Sequence, residues 1–170
     1  LQFLGNAVET PERPFLAILG GAKVKDKIGV INALLDKVDV LLIGGGMSYT
    51  FRKAMGGKIG RSLLDEERID LATELMEKAK AKGVKMLFPV DNVCGDDFSN
   101  DCMRITAHSW DIPDDFEGMD IGPETVKLFS EEIAKARTIC WNGPMGCFEM
   151  PNFAQGTLAI AKAMAESNAI

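Results

Sequence analysis

Residues 15–21 read FLAILGG, a short apolar run that ends at two glycines. The same pattern recurs as VDVLLIGGG at residues 38–46 and as TICWNGPMG at residues 138–146, and residues with helical spacing follow each copy. Such apolar runs are typical of buried parallel strands, and the glycines expose bare backbone where the strands end. The three stretches therefore predict an α/β fold with a phosphorylated or nucleotide-like ligand at the carboxyl edge of its sheet.

The alternation of strands and helices predicts a three-layer αβα sandwich with a mostly parallel, Rossmann-like sheet. The predicted strands are Phe15–Leu19, Val38–Ile43, Lys85–Val90 and Thr138–Trp141. The predicted helices begin near Val24, after Gly46, near Asp65, at Pro123 and near Pro151. Gly83 is the predicted C-cap of the third helix, and the last helix is predicted to end at Glu166.

Residues 92–122 break this alternation, because they are rich in Gly, Asp, Asn and Pro. We interpret this stretch as an irregular insertion, with room for antiparallel strands and one short strand at Met103–Ala107. We assign residues 1–170 to one domain. An α/β sheet usually continues after its last helix, so we expect the domain to be truncated at both ends and its last strand or strands to be missing.

Composition excludes several classes of function. With 25 acidic and 19 basic residues the net charge is −6, which argues against binding of nucleic acid or anionic membranes. No apolar run approaches the roughly 18 residues of a membrane span, and the first residues do not resemble a secretory signal. The four cysteines show no C-x-x-C spacing, which favours free thiols over a zinc site or a disulfide framework. We therefore expect a cytoplasmic protein.

Two lysines follow the first glycine pair at the predicted start of a helix. Lys23 and Lys27 are four residues apart and share one helical face. Ammonium groups at a helix N-terminus oppose the helix dipole at a cost of about 0.3–1 kcal/mol each, and a bound anion would reverse the sign of that interaction. The arrangement favours a phosphate site, although two solvated surface lysines would give the same pattern.

The other glycine stretches offer further candidates for ligand contacts. A flat ring could lie against the backbone at Gly44–Gly46, but a tight turn with close helix packing would also need glycines there. In the stretch WNGPMGCFE at residues 141–149, Asn142 offers a donor and an acceptor. Glu149 could accept hydrogen bonds from ribose hydroxyls or simply begin the last helix. Trp141 is interpreted as core packing rather than ligand stacking.

Several common active-site motifs are absent from the sequence. It contains no P-loop, no glycine fingerprint of dinucleotide-binding enzymes, no nucleophile elbow and no cluster of metal ligands. The single histidine, His108, has no carboxylate at a fixed spacing, so we interpret it as a surface or structural residue. A dinucleotide-dependent oxidoreductase is therefore disfavoured.

Taken in order, these motifs resemble the phosphoglycerate kinase family over essentially the whole chain. The resemblance is carried by PERPFLAILGGAKVKDKI at residues 11–28, IGGGMSYTF at 43–51, FPVD at 88–91, DIGPE at 120–124, WNGPMGCFE at 141–149 and Gly156-Thr157. It implies a two-domain glycolytic enzyme that transfers a phosphoryl group between 1,3-bisphosphoglycerate and ADP to give 3-phosphoglycerate and Mg-ATP. The chain resembles the C-terminal, nucleotide-binding half of such a kinase.

The resemblance also implies roles for individual residues. Lys23 would stabilise the charge of the transferring phosphate, and Lys27 would hold nucleotide phosphates. The residues that would line the adenine slot are Gly45, Gly46, Gly118 and Met119, with Ala22 beside the nucleotide. Those that would border the ribose and phosphates are Asn142, Gly143 and Pro144, with Glu149 on the ribose hydroxyls.

Two parts of the family pattern are not found in the sequence. The turn with three glycines and an aspartate that would hold Mg²⁺ with ATP or ADP is expected beyond Ile170, so no metal ligand is assigned to this chain. The 3-phosphoglycerate site belongs to an N-terminal domain that closes on this one about a hinge. We expect the full-length protein to be a monomer and the fragment alone to be inactive. The alternative is a non-catalytic adenine-nucleotide-binding module.

Overall fold

The structure is a computed structural model that describes residues 13–21, 24–62, 64–97, 99–108, 111–143, 145–146 and 149–166, without the side chains of residues 24–26, 108 and 151. In chain order, its helices and strands are β1 (Phe15–Leu19), α1 (Val24–Leu35), β2 (Val40–Ile43), α2 (Met47–Ala54), β3 (Lys58–Ile59), α3 (Ile69–Ala81), β4 (Lys85–Leu87), β5 (Asp91–Gly95), β6 (Arg104–His108), β7 (Asp111–Ile112), β8 (Glu117–Ile121), α4 (Pro123–Lys135), β9 (Thr138–Asn142) and α5 (Gln155–Glu166).

The central sheet is parallel and has the strand order β4-β2-β1-β9. Strand β1 is fully buried, and its side chains alternate between two hydrophobic clusters, one on each face of the sheet. The first cluster contains residues of α1, α2 and α3, and the second contains residues of α4 and α5. This arrangement confirms the predicted three-layer αβα sandwich.

Strand β2 begins two residues later than predicted, at Val40 instead of Val38. The reason is Asp39, whose carboxylate accepts a hydrogen bond from the Phe15 backbone N–H at 2.8 Å and forms an ion pair with Arg13 at 2.9 Å. The polar residue thus stabilises the start of the neighbouring strand.

The third predicted strand, Lys85–Val90, is also shorter in the structure. It ends at Leu87, and the chain then turns into β5. The buried Arg52 donates a hydrogen bond to the Pro89 carbonyl, and the Val90 N–H donates to Thr125 Oγ1 at 3.0 Å. These backbone groups are satisfied by side chains rather than by a neighbouring strand, so the strand cannot continue.

Two predicted helix starts are replaced by short 3₁₀ turns. Glu66–Arg68 forms one turn before α3, and Pro151–Phe153 forms another before α5. The backbone N–H of Asp65 is taken by Thr50 Oγ1 at 3.1 Å, which fixes the entry of the chain before α3. Gly83 has φ +74° just after α3, as expected for a C-cap. Helix α4 begins at Pro123 as predicted.

The predicted insertion contains a three-stranded antiparallel sheet of order β6-β5-β8. The short strand predicted at Met103–Ala107 is observed one residue later, at Arg104–His108. The parallel pairing of β3 with β7 was not predicted, because strands of two residues carry no periodic signal. Within the described part of the chain, no helix is long and apolar enough to cross a membrane.

A buried carboxylate connects this antiparallel sheet to α4. Asp91 on β5 is 1% exposed and accepts hydrogen bonds from the backbone N–H groups of Thr125 at 2.8 Å and Glu124 at 3.0 Å. The Thr125 hydroxyl donates to the same carboxylate at 2.6 Å. Asp91 therefore caps the N-terminus of α4 from more than thirty positions away along the chain.

We predict that Asp91→Ala lowers the free energy of unfolding by about 1–3 kcal/mol, because it leaves buried backbone N–H groups at the start of α4 without an acceptor. Urea denaturation followed by circular dichroism measures this loss. Asp111→Ala, at an exposed position on β7, is the matched control and should change stability by less than about 0.5 kcal/mol. Equal effects of the two substitutions would contradict the capping role.

Candidate functional site

The three glycine stretches meet at the carboxyl edge of the central sheet. The Gly20 N–H donates to the Asn142 carbonyl at 2.8 Å, which joins the ends of β1 and β9. The Gly44 N–H donates to the Leu19 carbonyl at 2.7 Å, and the Met47 N–H at the start of α2 donates to the Gly21 carbonyl at 2.9 Å. The three strand ends thus form one continuous strip of backbone, which is buried at Gly20, Gly44 and Gly45 and half-buried at Gly21, Gly46 and Gly143.

Glycine is required at this edge for close packing. Gly143 has φ +91°, and a Cβ on it would lie 2.3 Å from the Gly20 carbonyl oxygen. A Cβ on Gly44 would lie 2.4 Å from Met145 Sδ. For Gly44 the structure therefore agrees with the packing interpretation, since a side chain of this same molecule fills the space that its missing Cβ leaves.

Gly45 and Gly46 continue from this contact into α2. Gly45 has φ +71°, and its N–H donates to the Met145 carbonyl at 3.1 Å. Gly46 is half-buried and immediately precedes the helix. The loop that follows β9 therefore rests directly on the turn that follows β2.

Lys27 places a positively charged ammonium group at this edge of the sheet. It is the fourth residue of α1, at the end of the first turn, and its Nζ donates to Asn142 Oδ1 at 2.5 Å. Among the described residues, no carboxylate lies within ion-pair distance of this ammonium group. A cation held by a neutral amide retains its charge for an anionic ligand. Lys23, Ala22 and Pro144, predicted for the same site, lie outside the described residues.

Gly118 and Met119 lie on β8, beside this loop. The Gly118 N–H donates to Ser62 Oγ at 2.8 Å, and a Cβ on Gly118 would lie 2.2 Å from the Tyr49 hydroxyl. Met119 is 2% exposed. A Cβ on Gly146 would lie 2.6 Å from the Met119 carbonyl oxygen, so the loop packs against β8.

Trp141 and Glu149, the two ends of the stretch at residues 141–149, differ in their environment. Glu149 is exposed in the turn before α5, and no hydrogen bond to the strand ends is found for it within the described part of the chain. Trp141 is half-buried against the second hydrophobic cluster, as the core interpretation predicted. Its Nε1 also donates to the Gly143 carbonyl at 2.6 Å, so the indole closes the turn at the end of β9.

Sequence reasoning missed the role of Asp120 under this loop. Its carboxylate is 1% exposed and accepts hydrogen bonds from the Ile121 N–H at 2.8 Å and from the Gly156 N–H of α5 at 2.9 Å. Burial raises the pKa of Asp120 to about 7, although these two hydrogen bonds oppose the shift. The only signal in the sequence is an aspartate inside an otherwise apolar strand end.

The cysteines and the acidic residues provide no second reactive centre in the described part. Cys94, Cys102 and Cys140 are free thiols, and burial raises the pKa of Cys94 to about 11, which makes that thiol unreactive. No group of three or more His, Cys, Asp or Glu side chains within the described ranges could hold a metal ion. The side chain of His108 lies outside the description.

Concavities among the described residues also lie away from the strand ends. A groove of about 460 Å³ runs between α4 and α5, and none of the predicted site residues lines it. The lining residues are Val126, Ser130, Ala134, Ala159, Lys162, Ala163 and Glu166.

Comparison with known proteins identifies relatives over the whole chain. The family model described as Phosphoglycerate kinase matches residues 1–170. The chain is 61% identical over 169 residues to a phosphoglycerate kinase of Clostridium tetani and 59% identical to one of Clostridium novyi, covering 99% of this chain and 42% of each relative. The chain thus spans less than half the length of these relatives.

Solved structures agree with this result. The phosphoglycerate kinase structure from Coxiella burnetii matches with a TM-score of 0.95 at 42% identity, over 98% of this chain and 43% of that one. The structure from Pyrococcus horikoshii matches with a TM-score of 0.84 at 29% identity, over 99% of this chain and 43% of that one.

We predict that Gly143→Ala lowers the free energy of unfolding by about 1–3 kcal/mol, because the new methyl group collides with the Gly20 backbone at a positive φ. Gly29→Ala is the matched control, since an added Cβ in the middle of α1 meets no atom within 4 Å. It should raise stability by about 0.5–1 kcal/mol. Thermal denaturation compares the two, and loss of stability in both variants would contradict the argument.

The raised pKa of Asp120 also predicts that the stability of the fold depends on pH. The raised pKa means that between about pH 4 and pH 7 the folded chain retains a proton that the unfolded chain releases. Stability from this group is therefore lost as pH rises through that range, by about 1.4 kcal/mol for each unit of pKa difference. Urea midpoints at several pH values should fall more steeply for the wild type than for Asp120→Asn, and parallel curves would refute the prediction.

Proposed function

The chain belongs to the phosphoglycerate kinase family, and we propose that residues 1–170 form the C-terminal, nucleotide-binding domain of such a kinase. The observation that supports this most is the convergence of three glycine-lined strand ends with the Lys27 ammonium group on one sheet edge. A nucleotide presents a flat base and an anionic polyphosphate. Backbone without Cβ atoms suits the former, and an ammonium group near a helix N-terminus suits the latter.

The Lys27–Asn142 hydrogen bond explains how this cation could be available to a phosphate. The amide oxygen is a neutral acceptor, and hydrogen bonds between two charged groups are roughly twice as strong as neutral ones. A phosphate oxygen would therefore replace or share the amide, and Asn142 would be left to bond the ribose or phosphate through its own donor.

The proposed roles of the remaining residues follow the family resemblance. Lys23 stabilises the transferring phosphoryl group, and Ala22 lies beside the nucleotide. The adenine slot is assigned to Gly45, Gly46, Gly118 and Met119, and the ribose and phosphate border to Asn142, Gly143, Pro144 and Glu149. Gly118 and Met119 would contribute backbone from β8, because Tyr49 covers the first and the second is buried.

The proposed reaction is phosphoryl transfer from the acyl phosphate of 1,3-bisphosphoglycerate to the terminal phosphate of ADP, which gives 3-phosphoglycerate and ATP. Such transfer depends mainly on positioning and on stabilising negative charge, which lysines and backbone N–H groups can provide. The glycerate would be held by the N-terminal domain of a longer, monomeric and cytoplasmic enzyme.

Mg²⁺ would enter this site with the nucleotide. The described residues do not fit a resident metal, because they contain no cluster of carboxylates and Asp120 at the base of the loop is already occupied by two backbone N–H groups. The carboxylate that holds the metal is expected beyond Ile170, so no step of the reaction is assigned to a metal ligand of this chain.

The alternative is that the chain serves as a non-catalytic adenine-nucleotide-binding module. Isothermal titration calorimetry with ADP and a coupled kinase assay, on both the chain and a full-length enzyme that contains it, separate the two. Turnover by the full-length enzyme supports the kinase, whereas nucleotide binding without turnover in the full-length enzyme supports the module.

We predict that Lys23→Ala in the full-length enzyme lowers kcat by about 100-fold or more, because one stabilising contact to the transition-state charge is lost. Steady-state kinetics in the direction of ATP formation measure it. Lys127→Ala, at an exposed position on α4, is the control and should keep wild-type turnover. Near-normal turnover of the Lys23 variant would show that the assigned role is wrong.

We further predict that Lys27→Met weakens ADP binding to the chain by about tenfold, the loss expected for one hydrogen bond between charged groups. Calorimetry or NMR titration at low ionic strength measures it, and Lys127→Met provides the matched control. Because the interaction is electrostatic, the difference between wild type and variant should shrink as salt is added. Unchanged affinity would exclude Lys27 from the site.

A further inference from the structure

We propose that Asp120 is a positioning residue for the nucleotide site, and that its ionised carboxylate fixes the first turn of α5 and, with it, Met145 and Gly146 in the loop that follows β9. The inference rests on the proposed function, because it concerns how that site is held in shape. Asp120 is not suggested to touch the nucleotide.

The first link is between Asp120 and α5. One carboxylate oxygen accepts the Gly156 N–H at 2.9 Å, and the other accepts the Ile121 N–H at 2.8 Å. Gly156 lies in the first turn of α5, where backbone N–H groups have no acceptor within the helix. A Cβ on Gly156 would lie 2.3 Å from Asp120 Oδ1, so helix and carboxylate are in direct contact.

The second link connects α5 to the glycine-lined edge. Thr157, the residue after Gly156, accepts the Met145 N–H on its Oγ1 at 3.0 Å. The Met145 carbonyl accepts the Gly45 N–H at 3.1 Å, and Met145 Sδ occupies the space in front of Gly44. A shift of the first turn of α5 would therefore move Met145, and Met145 would move the turn after β2.

The third link is direct packing of the loop on Asp120. A Cβ on Gly146 would lie 2.6 Å from Asp120 Oδ1 and 2.7 Å from Asp120 Cα. The loop is thus held from α5 on one side and from β8 on the other, and the same aspartate contributes to both contacts.

The ionised form suits this role better than the neutral form. A carboxylate accepts with both oxygens, whereas a protonated carboxyl or an amide retains one good acceptor for the two backbone N–H groups. Burial costs more than these hydrogen bonds return, as the pKa of about 7 shows. Ionisation therefore does not stabilise the fold as a whole, and what it changes is the number of acceptor oxygens that Asp120 offers to the Gly156 and Ile121 N–H groups.

Titration of Asp120 would couple nucleotide binding to pH. The titratable side chains on the described elements packed against it are Glu117 on β8, Asp91 and Cys94 on β5, Lys162 and Glu166 on α5, Tyr49 on α2 and Glu149 in the turn before α5. None of these contributes to its pKa shift, which has burial and two backbone hydrogen bonds as its causes. If the ionised form holds the loop, affinity for ADP rises as pH passes through about 7.

The first test needs no nucleotide. Two-dimensional NMR of the chain between pH 5 and pH 9 should show the Gly156, Ile121 and Met145 amide signals titrating together with one midpoint. Thr157→Val, which removes the acceptor of the Met145 N–H, should leave the Gly156 titration unchanged and reduce that of Met145 to the part transmitted by direct packing of Gly146 on Asp120. A Met145 signal that is insensitive to pH in the wild type would overturn the proposal.

The second test measures ADP affinity of the chain at pH 6 and pH 8. From pH 6 to pH 8 the ADP affinity of the wild type should rise about three- to tenfold more than that of Asp120→Asn. Comparison with this variant corrects for titration of the nucleotide itself. Asp91→Asn is the matched control, since it alters another buried helix-capping carboxylate that contacts none of the loop residues. It should keep the wild-type pH dependence even if it is less stable.

The outcomes separate this inference from the proposed function. If the amide NMR signals of the wild-type chain do not shift with millimolar ADP at either pH, the proposed function is refuted, and this inference with it. Wild-type binding whose pH dependence is the same in Asp120→Asn refutes only the inference. Should Asp120→Asn fail to fold, the wild-type and Thr157→Val amide titrations decide the question.

Discussion

Direct backbone contact between three strand ends is the constraint on which the rest of this structure depends. The ends of β1, β2 and β9 hydrogen-bond to one another through Gly20, Gly44 and the Asn142 carbonyl, and a Cβ at Gly143 would collide with the Gly20 backbone. The proposed nucleotide site is the outer surface of this contact. These glycines therefore serve close packing, and in the proposed site the same missing side chains would also let a nucleotide approach the backbone.

Much of the fold was predictable because it is encoded locally. The fully buried β1 and the Pro123 start of α4 follow from apolar runs and turn chemistry. What could not be predicted depends on partners that are distant in sequence. Asp39 shortens β2 because it bonds the start of β1, and the pairing of β3 with β7 depends on segments about fifty residues apart.

The candidate site shows the same division. Glycine clusters and the lysine spacing marked the sheet edge from the sequence alone, and the structure brings Lys27 against Asn142 there. The roles of Asp91 and Asp120 could not be predicted from the sequence. A single aspartate next to an apolar strand has no recognisable spacing to the helix that it caps. Both carboxylates act across more than thirty residues, so only the three-dimensional structure shows that α4 and α5 each begin on an acceptor from the antiparallel sheet.

A crystal structure of the chain with ADP tests the central claim most directly. The account predicts that the phosphates lie beside Lys27 and Asn142, and that the base lies against the backbone of Gly45 and Gly46 on the β8 side of the loop. Nucleotide bound in the groove between α4 and α5, or anywhere else that leaves these strand ends uncovered, would contradict it.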